Sequence, residues 1–194
     1  LGQKLLHKLR LDSSIQLIAT SKGDNRVSEK NGYTYFDLDV TNNDAVALLI
    51  TSEKPKIVIN TSAMTNVDLC EDEKEACDAL NVDAVRYLAN ACANIDAHLI
   101  QISTDFIFDG NDGPYTEEDV PNPISYYGLS KLKSEQLLQA HRVKWTILRT
   151  IIVFGVGEKL SKGNIVLWAK GALEKGDPLN IIDDQFRAPT LAED

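Results

Sequence analysis

Short apolar segments alternate with longer segments of helical spacing along this chain. The short ones are rich in β-branched residues and have the length of a strand. Residues 57–60, Ile-Val-Ile-Asn, show no polar alternation, which is typical of a strand that is covered on both faces. The predicted strands are residues 15–20, 33–38, 57–60, 99–103 and 145–148.

The longer segments place apolar residues three or four positions apart, as one face of an α-helix requires. In one of them Val46, Leu49 and Ile50 recur at i, i+3 and i+4. Gly176 and Pro178 end the last one, because glycine caps a helix and proline cannot continue it. The predicted helices are residues 1–9, 44–52, 73–94, 127–141 and 162–175.

This alternation predicts an α/β fold with a doubly wound parallel sheet and helices on both faces. Such a sheet commonly has the strand order 3-2-1-4-5-6, with the first strand at its centre. No strand precedes the helix at residues 1–9, so we expect an upstream first strand that is missing from this sequence. Its place would be a slot about 10 Å wide, twice the strand spacing, between residues 15–20 and 57–60.

Composition and charge exclude several classes of protein. The 194 residues are 43% hydrophobic and 25% charged, which argues against disorder. Lys and Arg total 20 against 29 Asp and Glu, a formal charge of −9, so no basic surplus exists to bind nucleic acid. No apolar run approaches the roughly 18 residues of a membrane span, and the first ten residues lack a signal-peptide core.

The cysteines and histidines give no sign of a disulfide scaffold or a metal site. Cys70, Cys77 and Cys92 form no Cys-x-x-Cys pair, and the three histidines are scattered. We therefore expect reduced thiols in a cytoplasmic protein with no metal.

Tyr127 and Lys131 carry the first chemical signal, because they form a Tyr-x-x-x-Lys pattern at the start of a predicted helix. The i, i+4 spacing places the phenol and the ammonium on one face, one turn apart. A neighbouring cation stabilises phenolate and lowers the pKa of a tyrosine, which can then pass a proton to a carbonyl oxygen. The alternative is a solvated pair on the helix surface.

Polar residues at the ends of predicted strands carry three further signals. Ligands bind beyond the carboxyl ends of strands in open α/β sheets. Ser103-Thr104-Asp105 offers hydroxyls that can hold a substrate carbonyl, or else simply closes a turn. Asn60-Thr61-Ser62-Ala63 offers small residues that let a ligand approach. In Asp37-Leu38-Asp39-Val40 a carboxylate can accept a hydrogen bond from adenine, or else belongs to the N-cap region of the next helix.

Taken together, these segments resemble the extended short-chain dehydrogenases/reductases, and within them the RmlD-like (dTDP-4-dehydrorhamnose reductase) group. The resemblance covers essentially the whole chain and implies a Rossmann-type, NAD(P)-binding fold. The matching segments are residues 1–2, 37–41, 60–63 with Thr65, 67–68, 103–105, 108–110, 127–131, 148–150, 184–185 and 189–190.

The resemblance implies a reductase of a nucleotide-linked 4-keto sugar, in which hydride comes from nicotinamide and the proton from Tyr127. Lys131 would lower the pKa of Tyr127 and bind the nicotinamide ribose, and Thr104 would hold the carbonyl oxygen. The implied cofactor-binding residues are Gly2, Ser21, Lys22, Asp39, Val40, Thr61, Ser62, Ala63, Thr65, Tyr127, Lys131 and Thr150. The implied substrate residues are Asp105, Phe106, Gln185 and Arg187.

The chain departs from the family pattern in its phosphate-binding turn, of which only the last glycine, Gly2, is present. We expect residues 1–155 to form the dinucleotide-binding domain and 156–194 to begin a substrate-binding lobe. Ser21 and Lys22 follow a strand where NAD enzymes carry an acid, so they favour NADP(H), with NAD(H) open as the alternative.

Two other functions stay open. One is a non-catalytic dinucleotide-binding subunit resembling the regulatory β-subunit of methionine adenosyltransferase, and the other is reduction of a different carbonyl. The presence of Thr104, Tyr127 and Lys131 favours an enzyme over a purely regulatory subunit. The sequence does not decide the assembly, and a homodimer is one option.

Overall fold

The computed structural model describes residues 1–159 and 163–193. They form two compact units, Leu38–Thr150 and Leu1–Asp37 with Ile151–Asp194. The elements in chain order are α1 (Gly2–Leu9), β1 (Ile18–Ser21), β2 (Thr34–Asp37), α2 (Asn43–Glu53), β3 (Ile57–Asn60), α3 (Val67–Asp72), α4 (Lys74–Asp78), a π-helical turn (Ala79–Asp83), α5 (Ala84–Asn94), β4 (His98–Thr104), a 3-10 turn (Asp105–Ile107), α6 (Tyr126–Gln139), β5 (Lys144–Thr150) and α7 (Ile165–Lys175).

The unit Leu38–Thr150 is built on a parallel sheet of order β3-β4-β5. Val46 and Ile50 of α2 pack with the inner face of α5 and with Leu99 of β4. Leu99 is fully buried. Burial of this apolar area is the main driving force that holds the helices on the sheet. The carboxyl ends of the three strands are thereby fixed at one edge, where a doubly wound fold places its ligand.

The other unit contains the parallel pair β1-β2. Its later segment adds backbone hydrogen bonds from Phe154 to Thr190 and from Thr190 to Ile151. Gln3 of α1 exchanges two hydrogen bonds with the backbone of Glu158. The hydrogen bonds between Gln3 and Glu158 thus join the two sequence segments of this unit.

The α/β fold class and the parallel pairing are confirmed, with corrections to individual elements. The predicted helix 73–94 is interrupted, because α4 and α5 are joined by the π-helical turn. The short α3 was not predicted, and α7 begins at Ile165 rather than at 162, a residue outside the described ranges. The slot expected between residues 15–20 and 57–60 stays a prediction, because the two strands belong to different units. The domain boundary at 155 also stays a prediction.

Within residues 1–159 and 163–193, no helix is long and apolar enough to cross a membrane. The same part of the chain holds no group of three or more His, Cys, Asp or Glu residues that could bind a metal ion.

Candidate active site

The residues predicted to be catalytic lie where β4 ends and α6 begins. Thr104, the last residue of β4, caps the 3-10 turn by accepting a hydrogen bond of 3.2 Å from the Phe106 amide. Ser125 caps α6 by accepting from the Gly128 amide at 3.2 Å. Both caps satisfy N–H groups that would otherwise lack partners. They fix Thr104 and Tyr127 on adjoining elements.

Tyr127 is buried, and the Thr104 side chain lies near enough to its phenol to influence its pKa. Its ring meets the ring of Phe106 edge to face, with centroids 5.6 Å apart. Burial raises the pKa of the Tyr127 phenol above its usual value, while Thr104 acts in the opposite direction. Burial of the ring is the largest of these effects, so the net shift is upward. The lowering of this pKa by Lys131 stays a prediction. The phenol stays protonated at neutral pH, as a proton donor must.

Lys131 lies one turn further along α6 and is 2% exposed. Its Nζ donates a hydrogen bond of 2.6 Å to the carbonyl oxygen of Ile102 in β4. Burial lowers the pKa of Lys131 to about 8. The solvated surface pair considered from the sequence is therefore wrong, because both Tyr127 and Lys131 are buried.

A buried ion pair continues this inner face of α6. Glu135 is 1% exposed and accepts hydrogen bonds from Arg149 Nη2 at 2.8 Å and Nε at 3.2 Å. The Ser103 hydroxyl of β4 donates to the same carboxylate. Thr150 Oγ1 donates to the Ser103 carbonyl at 3.2 Å. The predicted residue Thr150 is thus held beside the other strand end.

Asn81, in the π-helical turn, joins two segments of the site. Its Oδ1 accepts from the Met64 amide at 2.8 Å, and its Nδ2 donates to the Met64 carbonyl at 3.1 Å. The same amide donates to Ser130 Oγ at 2.9 Å. Asn81 therefore holds the loop after β3 against α6. Its contact on α6, Ser130, lies between Tyr127 and Lys131 in the sequence.

Residues 108–122 form a loop organised around Asp109. Its carboxylate accepts from the Asn111 amide at 3.0 Å, from Tyr115 Oη at 2.7 Å and from Asn122 Nδ2 at 2.9 Å. These hydrogen bonds hold the pKa of Asp109 well below its usual range. The Tyr115 ring stacks on Phe108, with centroids 4.3 Å apart.

The predicted cofactor residues of this unit lie at the ends of its elements. Thr61, Ser62, Ala63 and Thr65 follow β3, where the Ser62 amide donates to Asn60 Oδ1 at 3.0 Å. Asp39 and Val40 precede α2. The N-cap of α2 is Asn42, whereas Asp39 closes a turn by accepting from the Thr41 amide and hydroxyl at 3.0 and 2.7 Å.

The other predicted residues belong to the second unit. Ser21 Oγ is hydrogen-bonded to Tyr35 Oη at 2.7 Å, and Lys22 follows it on the exposed surface. Gly2 begins α1. Arg187 Nε donates to Gln185 Oε1 at 3.3 Å, and both side chains are exposed. The structure brings Thr104, Asp105, Phe106, Tyr127 and Lys131 together; the roles assigned to all these residues stay predictions.

Sequence reasoning missed Asn81, Ser130 and Glu135. Asn81 interrupts the apolar face of the predicted helix 73–94. Glu135 repeats the four-residue step from Tyr127 to Lys131, which places it on the same face. Both signals were present in the sequence, but burial of polar side chains is the exception that hydrophobic patterning does not detect.

The family model of the RmlD substrate binding domain matches residues 1–194. The dTDP-4-dehydrorhamnose reductase of Aggregatibacter actinomycetemcomitans is 37% identical over 173 residues, which cover 88% of this chain and 57% of that protein. Methionine adenosyltransferase 2 subunit beta of Bos taurus is 32% identical over 157 residues, covering 81% of this chain and 47% of the relative. The chain thus spans about half the length of the curated relatives it matches.

Solved structures agree with these similarities. The crystal structure of a hypothetical dTDP-4-dehydrorhamnose reductase from Sulfolobus tokodaii superimposes with a TM-score of 0.75 at 37% identity, covering 91% of this chain and 60% of that one. A dTDP-4-dehydrorhamnose reductase from Bacillus anthracis, solved in complex with NADP, gives 0.69 at 31% identity, covering 75% and 52%.

Proposed function

The chain belongs to the RmlD substrate binding domain family, and on that premise we propose that it forms the dinucleotide-binding and proton-transfer part of an NADP(H)-dependent reductase. The proposed substrate is a nucleotide-linked 4-keto sugar, as in dTDP-4-dehydrorhamnose reductase. The observation that carries the proposal is the convergence of Thr104, Tyr127 and Lys131 at the carboxyl end of β4.

The proton-transfer role rests on Tyr127 and Thr104. Reduction of a ketone adds a hydride to carbon and a proton to oxygen. The buried Tyr127 phenol keeps its proton at neutral pH, and the Thr104 side chain acts on it from the end of β4. A carbonyl oxygen bound beside both hydroxyls would accept a hydrogen bond from Thr104 and then the Tyr127 proton.

The residues fit a nicotinamide dinucleotide, which when bound supplies the hydride. The Lys131 ammonium has three N–H donors. Among the residues that the structure describes, one donor is used on the Ile102 carbonyl. The others suit the paired hydroxyls of a ribose. Small side chains at Ser62 and Ala63 leave space after β3.

The finer assignments are part of the proposal. NADP(H) is preferred because Lys22 and Ser21 suit a 2′-phosphate, with NAD(H) as the alternative. Asp105, Phe106, Gln185 and Arg187 are proposed as substrate residues. We place the protein in the cytoplasm. A homodimer is one option for its assembly, and light scattering of the purified protein measures the oligomeric state.

The similarity to methionine adenosyltransferase 2 subunit beta supports a second candidate, a regulatory subunit that binds a dinucleotide without turnover. Tyr127 and Lys131 would then serve only to bind the cofactor. This alternative predicts dinucleotide binding, no reduction of any keto sugar, and a complex with a methionine adenosyltransferase catalytic subunit.

The test is NADPH oxidation by the full-length protein that carries this chain, against a panel of nucleotide-linked 4-keto sugars. Fluorescence titration measures NADPH and NADH binding in parallel. Turnover of a dTDP-linked 4-keto sugar that is lost on replacing Tyr127 with Phe supports the reductase. Tight NADPH binding without turnover on any member of the panel would favour the regulatory subunit.

A further inference from the structure

The buried Glu135 carboxylate has hydrogen-bond partners on two strands. It projects from α6 and accepts two hydrogen bonds from Arg149 of β5 and one from the Ser103 hydroxyl of β4. A charge buried to this extent is unfavourable unless it is paired and hydrogen-bonded. An apolar residue would fill this position at lower cost, so the charge calls for an explanation within the site.

Glu135 and Lys131 lie four residues apart on α6 and bind consecutive residues of β4. Lys131 Nζ donates to the Ile102 carbonyl at 2.6 Å, and Glu135 accepts from the hydroxyl of Ser103, the next residue along β4. This double attachment fixes both the rotation and the height of α6 on the strand. The i, i+4 spacing places these two buried side chains on the same face of α6.

We propose that Glu135, anchored by Ser103 and Arg149, is a positioning residue that keeps the Lys131 ammonium, one turn along α6 from Tyr127, in its charged form. The inference rests on the proposed reductase function, in which Lys131 acts as a cation. It adds Glu135 and its partners Ser103 and Arg149 to the residues implied by the sequence, as groups that act through Lys131.

The electrostatic balance around Lys131 gives the sign of the effect. Burial lowers the pKa of Lys131 to about 8, whereas the charges of Glu135 and Cys77 act to raise it. Arg149 faces Glu135 from β5, and its positive charge partly offsets the charge of that carboxylate. Replacing the carboxylate by an amide therefore lowers the pKa of Lys131 further. Thr104 acts to lower the pKa of the Tyr127 phenol, whereas Asp105, Cys70 and Cys77 act to raise it.

The first test does not need a substrate. In protein with 13C-labelled lysine, the Lys131 signal, assigned with a Lys131→Arg variant, is titrated from pH 6 to 11. Glu135→Gln keeps the shape and hydrogen-bonding oxygen of the side chain but removes its charge. We expect the pKa of Lys131 to fall by about one unit, the scale of a nearby opposite charge. An unchanged pKa would overturn the proposal.

Glu174→Gln is the matched control. Lys170 and Glu174 are also an i, i+4 pair, with Nζ and Oε1 3.7 Å apart, but both side chains are exposed. The same substitution there should leave the Lys131 titration unchanged. A shift of equal size in both variants would mean that Glu135 exerts no specific influence, and would also overturn the proposal.

The second test measures kcat against pH in the full-length reductase. Glu135→Gln should keep kcat within about twofold at pH 6.5 and lower it about fivefold or more at pH 8.5, because the variant loses the ammonium at lower pH. A uniform loss at every pH would indicate a purely structural role and would contradict the proposal. A shifted Lys131 titration without turnover on any keto sugar would refute the reductase and leave the Glu135–Lys131 coupling established.

Arg149→Met provides the test if Glu135→Gln does not fold. Removing the guanidinium takes a cation away while the Ser103 hydroxyl still holds Glu135 in place. The pKa of Lys131 should therefore rise, opposite in sign to the first variant. Circular dichroism verifies that the variant is folded. A fall or no change in the pKa of Lys131 in folded Arg149→Met would overturn the proposal.

Discussion

Gly128 of α6 lies directly against the carbonyl oxygen of Phe106. A Cβ added at Gly128 would overlap that oxygen and would also lie 3.1 Å from Pro123 Cβ. The contact exists because Gly128 follows Tyr127 in the first turn of α6, while Phe106 follows Thr104 and Asp105 in the 3-10 turn. The absence of a side chain at one position thus sets the distance between the two elements that carry Thr104 and Tyr127.

Gly128→Ala should therefore destabilise the protein by about 1–3 kcal/mol, the usual cost of overpacking, and reduce turnover more than NADPH binding. Urea denaturation measures the free energy of unfolding. Gly171→Ala in α7 is the control, because a Cβ there meets nothing within 4 Å. It should be neutral or stabilising by up to about 1 kcal/mol, since alanine favours a helix. Equal effects at the two glycines would show that the Phe106 contact is unimportant.

Tyr127→Phe removes the transferable proton and keeps the ring. We expect kcat of the full-length reductase to fall at least about 10²-fold, with little change in NADPH affinity. Tyr126→Phe is the control, since its hydroxyl is bonded to Asp78 Oδ2 at 2.9 Å. Its kcat should stay within about threefold of the wild type, a change too small for a lost general acid. Wild-type turnover in Tyr127→Phe would refute the assignment.

Asn81→Ala should cost about 1–3 kcal/mol of unfolding free energy, because it leaves buried hydrogen-bonding groups of Met64 and Ser130 without their partner. Chemical denaturation measures the loss. Asn90→Ala, on an exposed part of α5, loses one hydrogen bond of 3.1 Å to His141 and should cost less than about 0.5 kcal/mol. A comparable loss in both variants would mean that the Asn81 bridge contributes little.

The order of strands and helices could be predicted because it depends on local periodicity. Ile57–Asn60 was located to the residue, since a continuous apolar run between polar segments leaves few alternatives. The inner face of α6 could not be predicted in this way. It is formed largely by polar residues, among them Ser130, Lys131 and Glu135, while Leu129 is 38% exposed.

Only those parts of the candidate site that lie within one continuous segment could be predicted from the sequence. Tyr127 and Lys131 share a helix face by spacing alone. The Asn81–Ser130 hydrogen bond joins residues 49 positions apart and depends on the π-helical turn, which shifts the helix phase. Such a contact is a property of the tertiary structure, so no local pattern indicates it.

Lys22→Glu tests the cofactor preference. If Lys22 and Ser21 meet a 2′-phosphate, the charge reversal should weaken NADPH binding by about 1–3 kcal/mol and leave NADH affinity almost unchanged. Fluorescence titration of both cofactors measures the difference. Lys8→Glu, at an exposed position of α1, controls for the general effect of the charge change. Equal weakening of both cofactors would place Lys22 away from the phosphate.

The Cys92 thiol makes stability depend on pH in the alkaline range. Cys92 is fully buried in α5, and burial raises its pKa from 9.0 to about 11. Between these values the unfolded chain releases the thiol proton while the folded chain keeps it. The folded state then binds more protons, so stability is lost as pH rises through this window.

The consequence is measured by comparing the wild type with Cys92→Ala under reducing conditions. At pH 7.5 the variant should be less stable, because it leaves a small cavity. By pH 10.5 the wild type should have lost about 2 kcal/mol relative to the variant, so the difference shrinks or changes sign. The reason is that only the wild type has a thiol that ionises in the unfolded chain and stays protonated in the folded one. Other alkaline titrations, including those of Cys70, Tyr127 and Lys131, affect both proteins and cancel in the difference. A difference that stays constant from pH 7.5 to 10.5 would show that the pKa of Cys92 is not raised by folding.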